Sequence, residues 1–168
     1  NLGLDLADTL LLKYQVARLN LQAGQKARAA TAYQAAYNYL TVGLSLLGET
    51  AWQQHYELTL VLHEEAALAS YLTGRFTEAT TRIETVIHHA QTVLDTVKMY
   101  ELQMDLESAQ LHTSQALQVG IKIINLLGIP LAKTPPTDLN IESLLDLPPM
   151  TNPYARAALP ILSKCVPP

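Results

Sequence analysis

At 168 residues and 49% hydrophobic, the chain can bury the core of one ordinary domain or of a few stacked repeat units. Its net charge of −4 is mild but uneven: ten acids between Glu49 and Glu107 face only Arg75, Arg82 and Lys98, which argues against a surface that tracks nucleic-acid phosphates. No apolar run approaches the ~20 residues of a bilayer span. The lone Cys165 leaves no internal disulfide framework and fits a reducing, cytoplasmic compartment. The opening NLGLDLAD carries two acids and no basic stretch of a secretory signal, and without an initiator Met the chain reads as a fragment of a longer protein.

Abundant Ala and Leu favour helix throughout. Leu4 to about Ala30 predicts a long first helix, with Leu6, Leu10, Tyr14, Ala17, Leu21 and Gly24 along one side and Asp5 and Asp8 complementing the dipole at its start. Thr31 is the candidate cap of a second helix marked by Tyr33, Ala36, Leu40, Gly43 and Leu47, with Gly48 as its stop. Thr50 is a candidate N-cap for a third, which carries Trp52, Tyr56, Leu60 and His63. Ala66, Ala67 and Ser70 give that helix a small-residue seam. Gly74, free to take a left-handed dihedral, turns the chain at Thr73-Gly74-Arg75 into a fourth helix with the stripe Phe76, Ala79, Ile83 and Val86. Asp95 or Thr96 is placed as the cap of a helix from Val97 to about Leu111, and His112-Thr113 as the next turn. Ala116, Gly120, Ile123 and Leu127 mark the return, which Gly128 and Pro130 end. Beyond Leu131, Pro135-Pro136 breaks the chain, Thr137 or Asp138 caps a short turn through Ile141, Leu144 and Leu145, and Pro148-Pro149 breaks it again. Asn152-Pro153 then opens a last helix through Tyr154, Ala157, Ala158 and Leu162, with Pro160 awkwardly inside it.

The pattern Tyr33/Ala36/Leu40/Gly43 recurs as Phe76/Ala79/Ile83/Val86 and as Thr113/Ala116/Gly120/Ile123, at intervals of 43 and then 37 residues. Such a period predicts an all-α array of antiparallel helix hairpins with about seven to eight helices. Residues 1–130 hold the array, in pairs at about 4–48, 50–91 and 96–128, and residues 131–168 hold a loop and C-terminal capping helices.

The phrases AGQKARAATAYQAAYNYLTVGLSLL, AWQQHYELTL, VIHHAQTVLDTVKMYE and IESLLDLPPMTNPYARAALPIL carry a more specific signal. They resemble the central helical region of very large multidomain signalling proteins best represented in cyanobacteria. Such proteins join a serine/threonine kinase domain, an AAA-type ATPase of the STAND class, this helical region, a GAF domain and often a histidine kinase. The resemblance covers nearly the whole chain and thins from Leu131 to Asn140, where this sequence is the shorter. It implies tetratricopeptide-like units, without the Trp and Pro of the strict consensus, wound into a right-handed superhelix, and a sensor or scaffold role beside the ATPase. Kinase and ATPase chemistry would then belong to other domains, since this chain has no GxxxxGK[ST], GxGxxG, HRD or DFG motif.

Other chemistry reads weakly. His63-Glu64-Glu65-Ala66-Ala67 fails the HExxH zinc pattern at Ala67, and the adjacent His88 and His89 point about 100° apart on a helix. Cys165 has no recognisable catalytic partners, and Glu64, Glu65, Glu101 and Asp105 read as solvated helix-surface acids. Lys13, Arg18, Lys26 and Arg28 read as a solvated basic face. Trp52, Tyr33, Tyr37, Tyr39 and Tyr56 read as packing aromatics, with Tyr39, off the Leu40 stripe, the better candidate for the concave surface. The expectation is therefore a non-catalytic domain, without metal or cofactor, that binds a protein or peptide or the flanking domains of its own polypeptide. If the first helix of each pair lines the groove, Arg18, Asn20, His63, Glu64 and Tyr100 are the exposed candidates. The alternatives are a small-molecule sensor with a ligand between helices, and a structural spacer or homodimerisation module.

Overall fold

The computed structural model describes residues 2–131 and 149–165, the side chains of residues 2–8 excepted. The described residues form eight helices and no strand: α1 (Leu2–Ala29), α2 (Tyr33–Ser45), α3 (Ala51–Gln54), α4 (Tyr56–Leu72), α5 (Phe76–His89), α6 (Val93–Ala109), α7 (Thr113–Leu126) and α8 (Pro153–Cys165). Successive helices pack as hairpins α1/α2, α4/α5 and α6/α7, and the hairpins stack through α2 on α4, α5 on α6 and α7 on α8. The fold is an all-α array of helix hairpins.

One local device builds all three hairpins. Thirty-seven to forty-three residues apart, Thr31, Gly74 and Leu111 take left-handed φ values of +58°, +76° and +63°. In each case the next amide reaches back five residues: Ala32 N–H to the Ala27 carbonyl (2.9 Å), Arg75 to Ser70 (2.8 Å) and His112 to Glu107 (2.8 Å). The left-handed residue's own amide reaches back three, at 2.9, 2.9 and 3.0 Å. These paired bonds satisfy the carbonyls that a helix end leaves orphaned. Two residues after each turn the next helix begins, which sets the stripe in register: Ala36, Ala79 and Ala116 are all buried, with exposures of 0%, 0% and 6%.

Side chains divide into three clusters that share helices. Ala17, Leu21, Leu40, Leu62 and Ala66 join α1, α2 and α4. Leu60, Ala67, Ile83, Val86, Met99 and Leu102 join α4, α5 and α6. Tyr100, Met104, Ile123, Ile124, Ala158 and Ile161 join α6, α7 and α8. Thus α4 and α6 bury two faces each, toward the preceding hairpin and toward their own partner. Stacking is close where glycine replaces a side chain: a Cβ on Gly24 would lie 2.6 Å from Leu40 Cγ, and one on Gly43 2.9 Å from Leu62 Cδ2. Polar stitches follow the same seams. The Tyr37 hydroxyl of α2 donates to Glu78 of α5 at 3.0 Å, and the Arg75 guanidinium lies 4.1 Å over the Tyr37 ring.

Several expected boundaries move. Thr31 does not cap α2; it is the left-handed turn residue, and Ala32 occupies the cap position without a side-chain bond. The expected third helix is two, because the backbone breaks at His55 (φ −138°, ψ 47°), whose ring lies on Tyr14 of α1. Thr50 precedes α3 but makes no side-chain cap bond. The cap of α6 is Thr92, not Asp95 or Thr96. Asp95 is its capping-box partner, and the helix starts at Val93. Of the expected turn at His112-Thr113, His112 does lie in it, just before α7, but Thr113 already begins the helix and the left-handed residue is Leu111. At α8 the Asn152 side chain accepts from the Tyr154 amide (2.9 Å), and Pro160 lies inside the helix. The side chains of Asp5, Leu6 and Asp8, and the expected turn from Pro135 through Leu145 up to Pro148, lie outside the described residues.

Candidate interaction groove

Glu64 and Glu65 are neighbours on α4, so their side chains diverge by about 100° and reach opposite neighbours. Glu65 turns to α1, where the Arg28 guanidinium donates to it at 2.9 and 3.3 Å and Gln25 at 3.4 Å. Glu64 turns to α6, where Lys98 Nζ donates at 2.8 Å. On α6 the residues Lys98, Glu101 and Asp105 follow at helical spacing on one face. Asp105 accepts both its bonds from Lys164 of α8, each at 2.7 Å. Three consecutive first helices thus lie side by side, with ion pairs joining hairpin to hairpin.

Between them lies a hollow of about 390 Å³, lined by these charged groups with Leu68, Met99 and Leu102 as its apolar part. Glu64 is only 7% exposed; burial raises its carboxyl pKa, and the Lys98 bond opposes that rise. Glu101 is half-buried and differs from the other three acids: it takes part in no ion pair among the described residues. Burial pushes its carboxyl pKa up, Lys164 pulls against this, and Asp105 adds to it. Further along the α1–α4 seam a second hollow, about 410 Å³, is lined by Tyr14, Arg18, Leu19, Gln22, His55 and Leu58 among others.

Two of the five groove candidates line a hollow, Glu64 the first and Arg18 the second, although Glu64 is buried and not exposed. Asn20 sits against Gly43 of α2 and bonds the Val16 carbonyl at 2.9 Å. His63 faces the other way, stacked on Trp52 (5.1 Å, 25°), with Trp52 in turn stacked on His89 (4.6 Å, 8°). Burial, then Arg82 and His89, lowers the pKa of His63 to about 4, and its Nδ1 is buried without a partner. Tyr100 is 3% exposed in the core cluster with Ile123 and Ile124, so it is not a surface residue. Tyr39 is exposed on α2, a second helix, and lines neither of these hollows. Arg28, Glu65, Lys98, Glu101, Asp105 and Lys164 complete the groove. The spacing on α6 could have grouped three of them, but Arg28 and Lys164 arrive from 37 and 59 residues away, a distance no local pattern bridges. The acids do gather, then, but Glu64 is buried and paired where a solvated helix face was expected.

Among the described residues no group of three or more His, Cys, Asp or Glu is arranged to hold a metal, and no helix is long and apolar enough to cross a membrane. Cys165 is a free, half-buried thiol whose pKa burial raises.

No protein-family model matches the chain, and no solved structure matches it. It is similar to hybrid signal transduction histidine kinase G of Dictyostelium discoideum, 22% identical over 138 residues, or 77% of this chain. The chain spans 4% of that protein's length. This distant likeness links the helical array to a signal-transduction protein.

Proposed function

We propose that this chain is a non-catalytic helix-hairpin domain that binds a protein or peptide segment and couples the domains of a larger signal-transduction polypeptide. The observation that carries the reading is the continuous face of α1, α4 and α6, tied across hairpins by Glu65–Arg28, Glu64–Lys98 and Asp105–Lys164. Groups fixed in this way lose little freedom on binding, so more of the contact energy becomes affinity. The finer reading is a tetratricopeptide-like arm in a cytoplasmic protein of the kinase, STAND ATPase, GAF and histidine-kinase type, holding the ATPase or recruiting a partner until a signal arrives. It is supported by the sequence phrases that resemble such proteins and by the likeness to a signalling histidine kinase. No cofactor enters it. Cross-linking mass spectrometry on the full polypeptide, with and without ATP, tests it. Lys98 and Lys164 are expected to cross-link to a flanking domain or a bound partner in a nucleotide-dependent way. Cross-links confined to the array in both states would refute it.

A second reading, self-association, is favoured by Leu11, Leu12 and Leu19, which stand 58%, 59% and 62% exposed on α1. Static light scattering decides: a mass that rises with concentration and falls for Leu12→Lys supports it, and a constant monomer mass removes it.

A further inference from the structure

We infer that the groove takes an arginine-bearing peptide, whose guanidinium lies on Glu101 and whose neighbouring apolar side chain lies on Leu102 and Leu68. The inference deepens the peptide-binding reading above and rests on it. Four carboxylates line or rim the hollow, and three of them already have a cation: Arg28 on Glu65, Lys98 on Glu64 and Lys164 on Asp105. Glu101 alone among the four has no direct partner among the described residues, while sitting half-buried beside apolar carbon. A half-buried carboxylate without a direct ion pair attracts a ligand's cation more strongly than one in open water. The site is therefore short of one positive charge, and the shortfall is on the groove wall.

The neighbouring geometry fits an incoming cation. Lys98 Nζ bonds the buried Glu64 at 2.8 Å, so its direct bond goes to that carboxylate and not to Glu101. Lys164 bonds the Glu101 carbonyl at 3.4 Å and both oxygens of Asp105 at 2.7 Å, so its direct side-chain bonds go to Asp105, and it acts on the Glu101 carboxylate, as Lys98 does, only across space. A hollow of about 390 Å³ is within the range of discrete ligand sites, roughly 300–1,000 Å³. Guanidinium is favoured over ammonium because it is less strongly hydrated, presents two parallel donors to a carboxylate, and stacks its plane on apolar surface. An acidic peptide would meet Glu101 as a like charge and is disfavoured.

Selection of a random peptide-display library against the folded domain tests this, followed by amide chemical-shift mapping of the enriched peptides. The expected result is enrichment of peptides with arginine next to an apolar residue, perturbing the amides of Leu68, Lys98, Glu101 and Leu102. Replacing that arginine by citrulline, neutral and of the same shape, is expected to weaken binding about tenfold. Glu101→Gln is expected to weaken it by a similar factor while the thermal midpoint holds, since Glu101 anchors nothing in the fold. Enriched peptides that are acidic or uncharged, or that bind equally after both changes, overturn the arginine inference and leave the groove reading standing. Failure to enrich any peptide, or mapping to a face away from α4 and α6, overturns both.

Discussion

Leu111 sits at φ +63° with its side chain 88% exposed, so no packing compensates its left-handed backbone. Thr31 is in the same position at φ +58°, and Gly74 at φ +76° is the one residue of the three that takes the conformation without a Cβ penalty. Leu111→Gly is therefore expected to raise stability by about 1 kcal/mol, the relief of strain exceeding the added unfolded-state freedom of glycine. Urea denaturation followed by circular dichroism measures it, and a loss of stability would mean that Leu111 makes contacts worth more than its strain. The same residues explain what was legible. Gly74 announced its turn because glycine is the residue such a turn prefers, while Thr31 and Leu111 carry no such mark.

His63 gives a pH dependence of definite sign. Its pKa is lowered from 6.5 to about 4 by burial first, then by Arg82 and His89, and the other ionisable group lining its surroundings is Glu49. Above pH 6.5 the ring is neutral in both folded and unfolded chains and costs nothing. Between pH 6.5 and about 4 the unfolded chain binds a proton that the folded chain refuses, so stability falls as pH falls. At pH 5 the loss from this ring is about 1–2 kcal/mol. His63→Phe keeps an aromatic face for Trp52 and removes the unpartnered nitrogen. Its stability relative to the parent is expected to rise by that amount between pH 7 and pH 5. Glu64 and Glu101, whose raised pKa values favour the fold at lower pH, are common to both proteins and cancel. A difference that stays flat over this range would place His63 in contact with solvent.

At the scale of elements, legibility followed the number of faces a helix buries. Helices α5 and α7 bury one face, so Ala79, Ile83 and Val86, or Ala116, Gly120 and Ile123, stand out as a single stripe. Helix α4 buries Leu62 and Ala66 toward the first hairpin and Leu60 and Ala67 toward its own partner, so its apolar residues ring the axis and blur the period. The cap of α6 was missed for a related reason. Asp95 looks like a cap, but it is the third helical residue, and its carboxylate accepts from the Thr92 amide (2.9 Å), the Gln91 amide (3.2 Å) and the Tyr56 hydroxyl (2.7 Å). Burial works to raise its pKa, and these bonds outweigh it and lower it. One carboxylate thus starts α6 and ties it to α4, a role visible only when both helices are in place.

Helix α8 docks by a similar close approach. A Cβ on Gly120 would lie 2.7 Å from Cys165 Sγ and 3.0 Å from Met104 Cε. Methionine can bend away, but the short cysteine side chain can yield only by turning its sulfur or shifting α8. Gly120→Ala is expected to cost about 1–2 kcal/mol, overpacking exceeding the better helix propensity of alanine. In a Cys165→Ala background the same change is expected to be nearly free. The double-mutant cycle reads the difference directly, and equal costs in both backgrounds would assign the clash to Met104 instead.

For the whole molecule, shared helices set how far a local loss spreads. Stacked hairpins contact only their neighbours, so their stability is close to a sum of unit and interface contributions. Ile161, fully buried, belongs to the end cluster of α6, α7 and α8, whereas Leu62, also fully buried, belongs to a cluster that includes α4, and α4 enters the middle cluster as well. Truncating either to alanine costs about 2–5 kcal/mol. Where the loss appears should differ. Native-state hydrogen exchange of Ile161→Ala is expected to lose protection in α7 and α8 and keep it in α1 and α2, because no cluster joins those ends. Leu62→Ala is expected to lose protection in α1, α2 and α4 and also in α5, since α5 packs on the helix that has loosened. Equal loss at every amide in both variants would make the array one cooperative unit. A graded loss would mean that pressure on the groove at α4 and α6 is felt on both sides, the property a coupling arm between domains requires.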